Sequence, residues 1–332
     1  MIREAASEHV RDPERFRAEV MARGEPVVLR GIARDWPMLA GGTVAAAAAE
    51  LERFDAGRSA EVFVGAPSIG ARYHYDDTLA GFNFERRTMP FRDALSAILT
   101  TAGQGDRPSL YMGSLTAETF FPGIEDSVRL PFVPATVRPR FWIGHASTVA
   151  CHYDTMDNVA CVAAGQRRFT LFPPDTIKDL YVGPIDHTMA GQPVGLAVGS
   201  ATGDPRFPRF EQARDRAIVV ELEPGDALYL PKLWWHQVEA IGDVNMLVNF
   251  WWDGFAQGSD QPYTTMLLAM TAIAERPAAE RAAWRAWFDH YVFRPDGHPL
   301  AFLPPARHGL LDGTVKENRG RIRALVMRLL RG

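Results

Sequence analysis

The central part of the chain, from Leu110 to about Asp253, consists of short runs rich in β-branched and aromatic residues, separated by Gly, Pro and Asp. The runs include "RFWIGHAS", "NVACVAAG", "RRFTLFPP" and "NMLVNFWW". Short strands at this spacing, with turn residues between them, are typical of an antiparallel sandwich or barrel. The regions on either side have the periodicity of helices. We therefore expect a mainly β fold, in which a strand-rich core is flanked by N- and C-terminal helices.

Two regions of the chain are expected to fold differently. Residues 1–255 should form one domain, with mixed helices and strands over 1–109 and the strand-rich core over 110–255, and residues 256–332 should form a helical extension. The segment "GRIRALVMRLLRG" places an apolar stripe on one helix face with arginines opposite, and the stripe contains Ile322, Leu325, Val326, Leu329 and Leu330. A stripe of this kind needs a partner surface, which is either the protein's own core or a second subunit.

Composition narrows the class of protein. Hydrophobic residues make up 47% and charged residues 23% of the chain, as in soluble globular proteins. A net charge of -4 gives no reason to expect nucleic acid or an anionic membrane as a partner. The start of the chain lacks the apolar block of a secretory signal, and no stretch is long and apolar enough for a membrane span. We expect a cytoplasmic protein without disulfides, because Cys151 and Cys161 are too few for a disulfide framework.

The segment "ACHYDTMDNVACV" contains a candidate metal site. Side chains two apart in a strand share a face, so His152 and Asp154 can lie roughly 7 Å apart and reach one ion. The third candidate ligand is His236, which follows a turn, a strand and two tryptophans in "PGDALYLPKLWWHQVE". Two histidines and one aspartate leave coordination positions open, which is the arrangement of non-haem Fe(II) oxygenases rather than of structural zinc. Zinc in a hydrolytic or purely binding site remains an alternative.

A second tripeptide of the same type occurs at His74-Tyr75-Asp76. No turn, strand and histidine follow it at a comparable spacing, and Asp77 would add a further carboxylate beside an ion. We interpret this tripeptide as structural. Asn158, in the turn after the candidate metal strand, is either a turn former or a hydrogen-bonding group near the ion.

Arg167 is a candidate for binding an anion. It shares strand parity with Phe169 and Leu171, which predicts that it points inward, whereas Arg168 points outward. An inward guanidinium needs an anionic partner, because an unpaired buried charge would cost several kcal/mol. A bound carboxylate would supply that partner.

In order along the chain, "ACHYDTMDNVACVAAGQRRFTLFPPDTIKDLY", "RFPRF", "PGDALYLPKLWWHQVE" and "VNFWW" resemble the cupin-like JmjC oxygenases, a family that includes the asparaginyl hydroxylase of hypoxia-inducible factor. The similarity covers about residues 110–255, with weaker support from "EPVVLRGIARDWP". It implies a double-stranded β-helix, also called a jelly roll or cupin core, that holds Fe(II) through His152, Asp154 and His236. It also implies 2-oxoglutarate as a cosubstrate, which is converted to succinate and CO2 while a substrate C–H bond is hydroxylated.

The resemblance further assigns residues to the cosubstrate. Arg167 occupies the position of a basic residue, usually lysine, that pairs with the far carboxylate of 2-oxoglutarate. Tyr111 matches a tyrosine that hydrogen-bonds the same carboxylate, and Asn249 matches an asparagine close to the cosubstrate. Val149 stands where the asparaginyl hydroxylase has a threonine hydroxyl. The barrel packing of an ordinary tyrosine is an equal alternative for Tyr111.

The resemblance therefore implies a 2-oxoglutarate-dependent dioxygenase that hydroxylates a protein side chain or a small metabolite, as a homodimer through its last helices. Two alternatives stay open because arginine does not replace lysine conservatively and Val149 removes a donor. One is a cupin that binds a metal and a ligand without turnover. The other is a cupin isomerase or dioxygenase that does not use 2-oxoglutarate.

Overall fold

A computed structural model of the chain describes residues 2–5, 10–186, 188, 191–256, 258, 260–313 and 315–331. The chain divides into two compact units, Met1–Ala256 and Gln257–Gly332, and each is described by itself. Within the described ranges, none of the helices combines the length and the hydropathy that a membrane span requires.

The described residues of the first unit form one sheet of eleven strands. The strands are β1 (Arg3–Ala5), β2 (Val27–Leu29), β3 (Ser59–Gly65), β4 (Arg72–Tyr73), β5 (Glu85–Pro90), β6 (Ser109–Thr116), β7 (Arg140–His152), β8 (Asp157–Phe172), β9 (Ile218–Leu222), β10 (Ala227–Leu230) and β11 (Trp235–Trp252). Their order is β1-β2-β10-β8-β11-β7-β6-β3-β5, with β4 beside β7 and β9 beside β8. The sheet confirms the expected mainly β, jelly-roll fold.

Helices flank this sheet. In the first unit they are α1 (Pro13–Glu19), α2 (Val44–Arg53), α3 (Phe91–Thr100), α4 (Ala117–Phe120) and α5 (Phe210–Arg214). Buried faces of α2 and α3 contribute Leu51, Leu95 and Ile98 to the main hydrophobic core. Pro90 ends β5 and directly precedes α3. The pattern did not predict β5, because its residues are mostly exposed and lack a buried face.

Three long strands, β7, β8 and β11, form the part of the sheet that surrounds the interior cavity, with β11 paired to both of the others. Gly165 in β8 and Gly242 in β11 have φ of +70° and +94°, and both mark register irregularities. A Cβ atom on Gly165 would lie 2.3 Å from Asn245 Oδ1, so only glycine fits there. Each irregularity reverses the alternation of side chains, and both halves of a strand can therefore face the same interior.

The second His-Tyr-Asp tripeptide begins directly after β4, which ends at Tyr73. The following residues form a loop that is closed by a backbone hydrogen bond from Asn83 N–H to His74 O, 3.1 Å long. The Asp76 carboxylate accepts hydrogen bonds from the backbone N–H and the hydroxyl of Thr78 in the same loop. This side chain stabilises a turn, in agreement with the structural interpretation of the second tripeptide.

His145 is a buried residue of β7 whose ring contacts the backbone of β6 and of α3. Its Nδ1 accepts a hydrogen bond from the Leu110 N–H at 3.0 Å, and its Nε2 lies 3.0 Å from Ile98 O. Because a carbonyl oxygen only accepts, Nε2 carries the proton and the ring is neutral. Burial is the main reason that the pKa of His145 is lowered to about 4, although the Ile98 carbonyl acts in the opposite direction.

This shift predicts a pH-dependent contribution to stability. The unfolded chain takes up the proton near pH 6.5, whereas the native protein does so only near pH 4, so the native state loses stability as the pH falls through that interval. As the pH falls, we expect the free energy of unfolding of the wild type to decrease by up to about 1.4 kcal/mol per pH unit because of this residue. His145→Gln should lack this contribution. Urea unfolding of both proteins between pH 7 and pH 4 measures the difference. Parallel stability curves would contradict the assignment.

The second unit contains α6 (Pro262–Ile273), α7 (Ala278–Phe288) and α8 (Lys316–Leu330). Among its described residues, no apolar side chain is buried; the buried residue is Asn318, which donates hydrogen bonds to Gly309 O and Asp312 O. The stripe predicted at the end of the chain lies on α8 and is exposed, from 37% at Leu325 to 70% at Leu329.

Candidate metal centre

Three side chains of the first unit converge beside the interior cavity. His152 ends β7, His236 is the second residue of β11, and these two residues are directly paired in the sheet. Asp154 lies in the turn that follows β7. One ligand atom from each of the three lies within 4.8 Å of the other two, and His236 Nε2 is 3.8 Å from Asp154 Oδ2. Residues 84 positions apart in the chain are therefore brought together by a cross-strand pair.

Backbone carbonyls orient both imidazole rings. The Nδ1 atom of His152 is 2.8 Å from Ala150 O, and the Nδ1 atom of His236 is 2.9 Å from Trp234 O. Because a carbonyl can only accept, each Nδ1 carries a proton, and in the neutral tautomer Nε2 is then the atom with a lone pair for a metal. An outer hydrogen bond of this kind fixes the tautomer of histidines that bind metals.

The electrostatics of the cluster match a cation. Burial, together with the nearby His152, lowers the pKa of His236 well below its usual value, which keeps this ring neutral. Burial raises the pKa of Asp154, while His152 lowers it. The Oδ2 atom of Asp154 is buried and has no hydrogen-bond partner within the described part of the chain. Two imidazoles and one carboxylate without a hydrogen-bond partner are a donor set that fits a divalent transition metal.

The three side chains line a cavity of about 440 Å³. Its lining includes six aromatic side chains, which are Phe63, Tyr73, Tyr111, Trp142, Phe169 and Trp251. Glu61 and Arg86 also line the cavity, with 3.7 Å between Arg86 Nη1 and Glu61 Oε1. The cavity can therefore take a ligand next to the cluster in surroundings that are mostly apolar.

Arg167 reaches this cavity from β8 and is 2% exposed. Its Nε atom has no hydrogen-bond partner, and no carboxylate of the described residues forms a salt bridge with it. Burial lowers the pKa of Arg167, with Tyr111 acting in the opposite direction. The adjacent Arg168 points outward, as strand parity predicts, and pairs with Glu221 at 2.8 Å. The cavity thus holds a buried guanidinium for which an anionic ligand would supply a partner.

Tyr111 lies on β6, the strand beside β7, and Val149 lies on β7 itself. Both residues line the cavity. Burial raises the pKa of Tyr111, although Arg167 lowers it, and the phenol therefore stays protonated and can donate a hydrogen bond. Val149 contributes only apolar surface. The geometry places Tyr111 in the same cavity as Arg167 and is suited to the binding of one anionic group by both.

Asn158 and Asn249 are the polar amides of the cavity, and they are joined to each other. The Asn249 amide nitrogen donates to Asn158 Oδ1 at 3.2 Å, and Trp142 Nε1 donates to Asn249 Oδ1 at 2.8 Å. The sequence pattern did not single out Trp142. The only signal was its place in a strand that also contains His152, and strand parity is unreliable there because the register of β7 against β11 shifts.

Comparisons with known proteins place these observations in a family. The family profile described as a cupin-like domain matches residues 13–258. The chain is 33% identical over 147 residues to HSPB1-associated protein 1 of Bos taurus, which covers 42% of this chain and 30% of the relative. It is 32% identical over 114 residues to lysine-specific demethylase JMJ31 of Arabidopsis thaliana, covering 34% and 20%. It is 24% identical over 255 residues to lysine-specific demethylase 8 of Xenopus tropicalis, covering 74% and 52%. The chain thus spans a third or less of the first two relatives and about half of the third.

Proposed function

The chain belongs to the cupin-like domain family that includes the JmjC proteins, and from this premise we propose that it is an Fe(II)- and 2-oxoglutarate-dependent oxygenase. The reaction is the hydroxylation of a C–H bond in a protein side chain or a small metabolite. The observation that carries the proposal is the cluster of His152, Asp154 and His236, with ligand atoms within 4.8 Å of one another, in the same cavity as the unpaired Arg167.

In this proposal His152, Asp154 and His236 hold the metal. Their donor types leave open coordination positions for a bidentate ligand and dioxygen. Bound Fe(II) supplies the activation of dioxygen that couples decarboxylation of 2-oxoglutarate to oxidation of the substrate. The backbone carbonyls of Ala150 and Trp234 hold the two rings in the tautomer that this requires.

The remaining cavity residues bind the cosubstrate. Arg167 pairs with the far carboxylate, and its planar fork can donate two hydrogen bonds to it. Tyr111 donates a third, and Asn158 and Asn249 contribute amide groups to the same cavity. Apolar side chains of the lining, which include Val149 and Phe169, lower the local dielectric constant and so strengthen these polar contacts. Glu61 and Arg86 also line the cavity, with side chains that are 54% and 40% exposed, and we infer that the substrate binds beside them.

One experiment tests the proposal against the two alternatives. The protein is purified without air, loaded with Fe(II) and mixed with 2-oxoglutarate, and succinate is measured after air is admitted. We expect succinate to form slowly even without a prime substrate, and no succinate to form when EDTA is present. Binding of 2-oxoglutarate without succinate would favour a metal- and ligand-binding cupin, and absence of binding would favour an isomerase or a different dioxygenase.

The prime substrate is a separate question. Two relatives are named lysine-specific demethylases, and this supports methylated lysine in a peptide as the first substrate to test. Faster succinate formation in the presence of such a peptide, with loss of a methyl group, would assign this chemistry. Stimulation by small amino acids or other metabolites instead would support the metabolite alternative.

We also propose that the protein is a homodimer through its C-terminal helices. On α7 and α8, Trp287, Leu329 and Leu330 are 60%, 70% and 58% exposed, and no apolar side chain in the described part of this unit is buried. Stable dimers bury about 1,200–2,000 Å² of surface, and a second copy would cover such faces symmetrically.

If the protein is a homodimer through these helices, a charged residue introduced on the apolar face of α8 should prevent dimerisation. At micromolar concentration, light scattering should give about twice the chain mass of 36.9 kDa for the wild type, and one chain mass for Leu329→Glu. The control is Arg328→Gln, which changes a polar position of the same helix and should stay dimeric. A monomeric wild type would contradict the proposal.

A further inference from the structure

Three side chains that line the cavity are connected to one another by two successive hydrogen bonds. Trp142 lies on β7, Asn249 on β11 and Asn158 on β8, which are three neighbouring strands. The Trp142 indole N–H donates to Asn249 Oδ1 at 2.8 Å, and the Asn249 amide nitrogen donates to Asn158 Oδ1 at 3.2 Å. All three residues line the cavity, and Asn158 and Asn249 are 6% and 1% exposed.

The orientation of the two amide groups in this hydrogen-bond series follows from the donor character of the indole. An asparagine amide can turn either its oxygen or its nitrogen toward a neighbour, but an indole N–H can only donate. Trp142 therefore requires the oxygen of Asn249, which leaves the Asn249 nitrogen to face Asn158. That nitrogen in turn requires the oxygen of Asn158. The reversed arrangement would place N–H groups against one another at a buried position, where neither could find water.

Asn158, the last of the three residues, lines the cavity, and its oxygen is already used as the acceptor from Asn249. The Asn158 amide nitrogen has no hydrogen-bond partner among the residues that the structure describes, and Asn158 lines the cavity. It consequently offers N–H donors, and not a carbonyl oxygen, to whatever is bound there. The same cavity already contains the guanidinium of Arg167 and the phenol of Tyr111.

We propose that Trp142 is a positioning residue, which fixes the direction of the Asn249 and Asn158 amides so that Asn158 presents a hydrogen-bond donor to a ligand oxygen. This inference rests on the proposed function, because it takes the ligand to be a 2-oxo acid with carboxylate or keto oxygens. Trp142 acts through Asn249 and Asn158 and does not need to touch the ligand itself. Without the indole N–H, both amides can turn over, and Asn158 then offers an oxygen that repels the ligand.

The test measures 2-oxoglutarate binding to the Mn(II)-loaded protein by calorimetry in the absence of turnover. Trp142→Phe keeps a large aromatic ring and removes the indole donor, and we expect about tenfold weaker binding, the loss of one hydrogen bond to a charged group. Asn158→Ala should weaken binding by a similar factor. The double variant should bind no more weakly than Asn158→Ala alone, since both changes remove the same donor.

A matched control is Trp36→Phe, which removes another indole donor. Trp36 Nε1 donates to Arg129 O at 3.1 Å in the main core, away from the cavity. This variant should bind 2-oxoglutarate within about twofold of the wild type, because only the loss of a cavity hydrogen bond affects the ligand. It therefore separates a general loss of stability from the loss of the amide direction.

The outcomes that overturn the inference are distinct from those that overturn the proposed function. If Trp142→Phe binds 2-oxoglutarate as tightly as the wild type, Trp142 acts only by packing. The same conclusion holds if the two losses of affinity add up in the double variant. If Trp142→Phe does not fold, Asn249→Ser interrupts the same hydrogen-bond series and must show the same loss and the same lack of additivity. A wild type that binds no 2-oxoglutarate contradicts the proposed function and this inference together.

Discussion

Removal of the Asp154 carboxylate by Asp154→Ala is expected to lower Fe(II) affinity by more than about 100-fold and to abolish succinate formation. Changes in residues that merely orient metal ligands already reduce affinity by about 10- to 100-fold, and Asp154 contributes a ligand atom itself. It is also the charged member of the cluster, and its Oδ2 atom has no other partner among the described residues. Anaerobic calorimetry with Fe(II) and the succinate assay measure both effects.

The chain contains its own control for this prediction. Asp76 belongs to an identical His-Tyr-Asp tripeptide, but its carboxylate is used in a turn with Thr78. We expect Asp76→Ala to retain Fe(II) affinity within about twofold, because no metal ligand is removed. If the two variants lost affinity equally, or if Asp154→Ala retained it, the three-residue cluster would not be the metal site.

Replacement of Arg167 by methionine is expected to have two effects of opposite sign. The affinity for 2-oxoglutarate should fall about 100-fold, since two charge-assisted hydrogen bonds contribute about 1.5 kcal/mol or more each and a tenfold change corresponds to about 1.4 kcal/mol. The free energy of unfolding without ligand should rise by about 1–4 kcal/mol, because a buried guanidinium without an anionic partner gives way to an apolar chain.

Arg168 provides a control for Arg167, because it carries the same charge at an exposed position of the same strand. Arg168 lies on the same strand with its side chain 41% exposed, and it pairs with Glu221. We expect Arg168→Met to change the affinity for 2-oxoglutarate by less than about twofold and to leave the stability nearly unchanged, as is usual for surface ion pairs. Unchanged affinity in Arg167→Met would remove Arg167 from the cosubstrate site, and a large loss of stability would show that its charge is stabilised within the protein.

Much of the site could be predicted from the chain because most of its key residues lie in or directly beside strands. The spacing within "CHYD" indicated that His152 and Asp154 lie together, although β7 ends at His152 and Asp154 lies in the turn that follows. The parity of Arg167 with Phe169 predicts its burial. The turn, strand and aromatic residues before His236 locate the third ligand. In each case one short segment contains the whole signal.

Other features depend on contacts between distant segments. Asn158 and Arg167 have opposite parity in β8, yet both line the cavity, because the bulge at Gly165 reverses the alternation. No local pattern indicates that a bulge faces inward. The hydrogen bond from Trp142 to Asn249 joins residues 107 positions apart. A pairing of this kind becomes visible only when the strand register is known.

The most direct measurement of the central claim is a crystal structure of the protein grown without air in the presence of Fe(II) and 2-oxoglutarate, with anomalous data at the iron edge. We predict one strong anomalous peak coordinated by the Nε2 atoms of His152 and His236 and a carboxylate oxygen of Asp154, with the far carboxylate of 2-oxoglutarate on Arg167. An iron peak at other side chains, or a cavity without iron and cosubstrate in such crystals, would contradict the account.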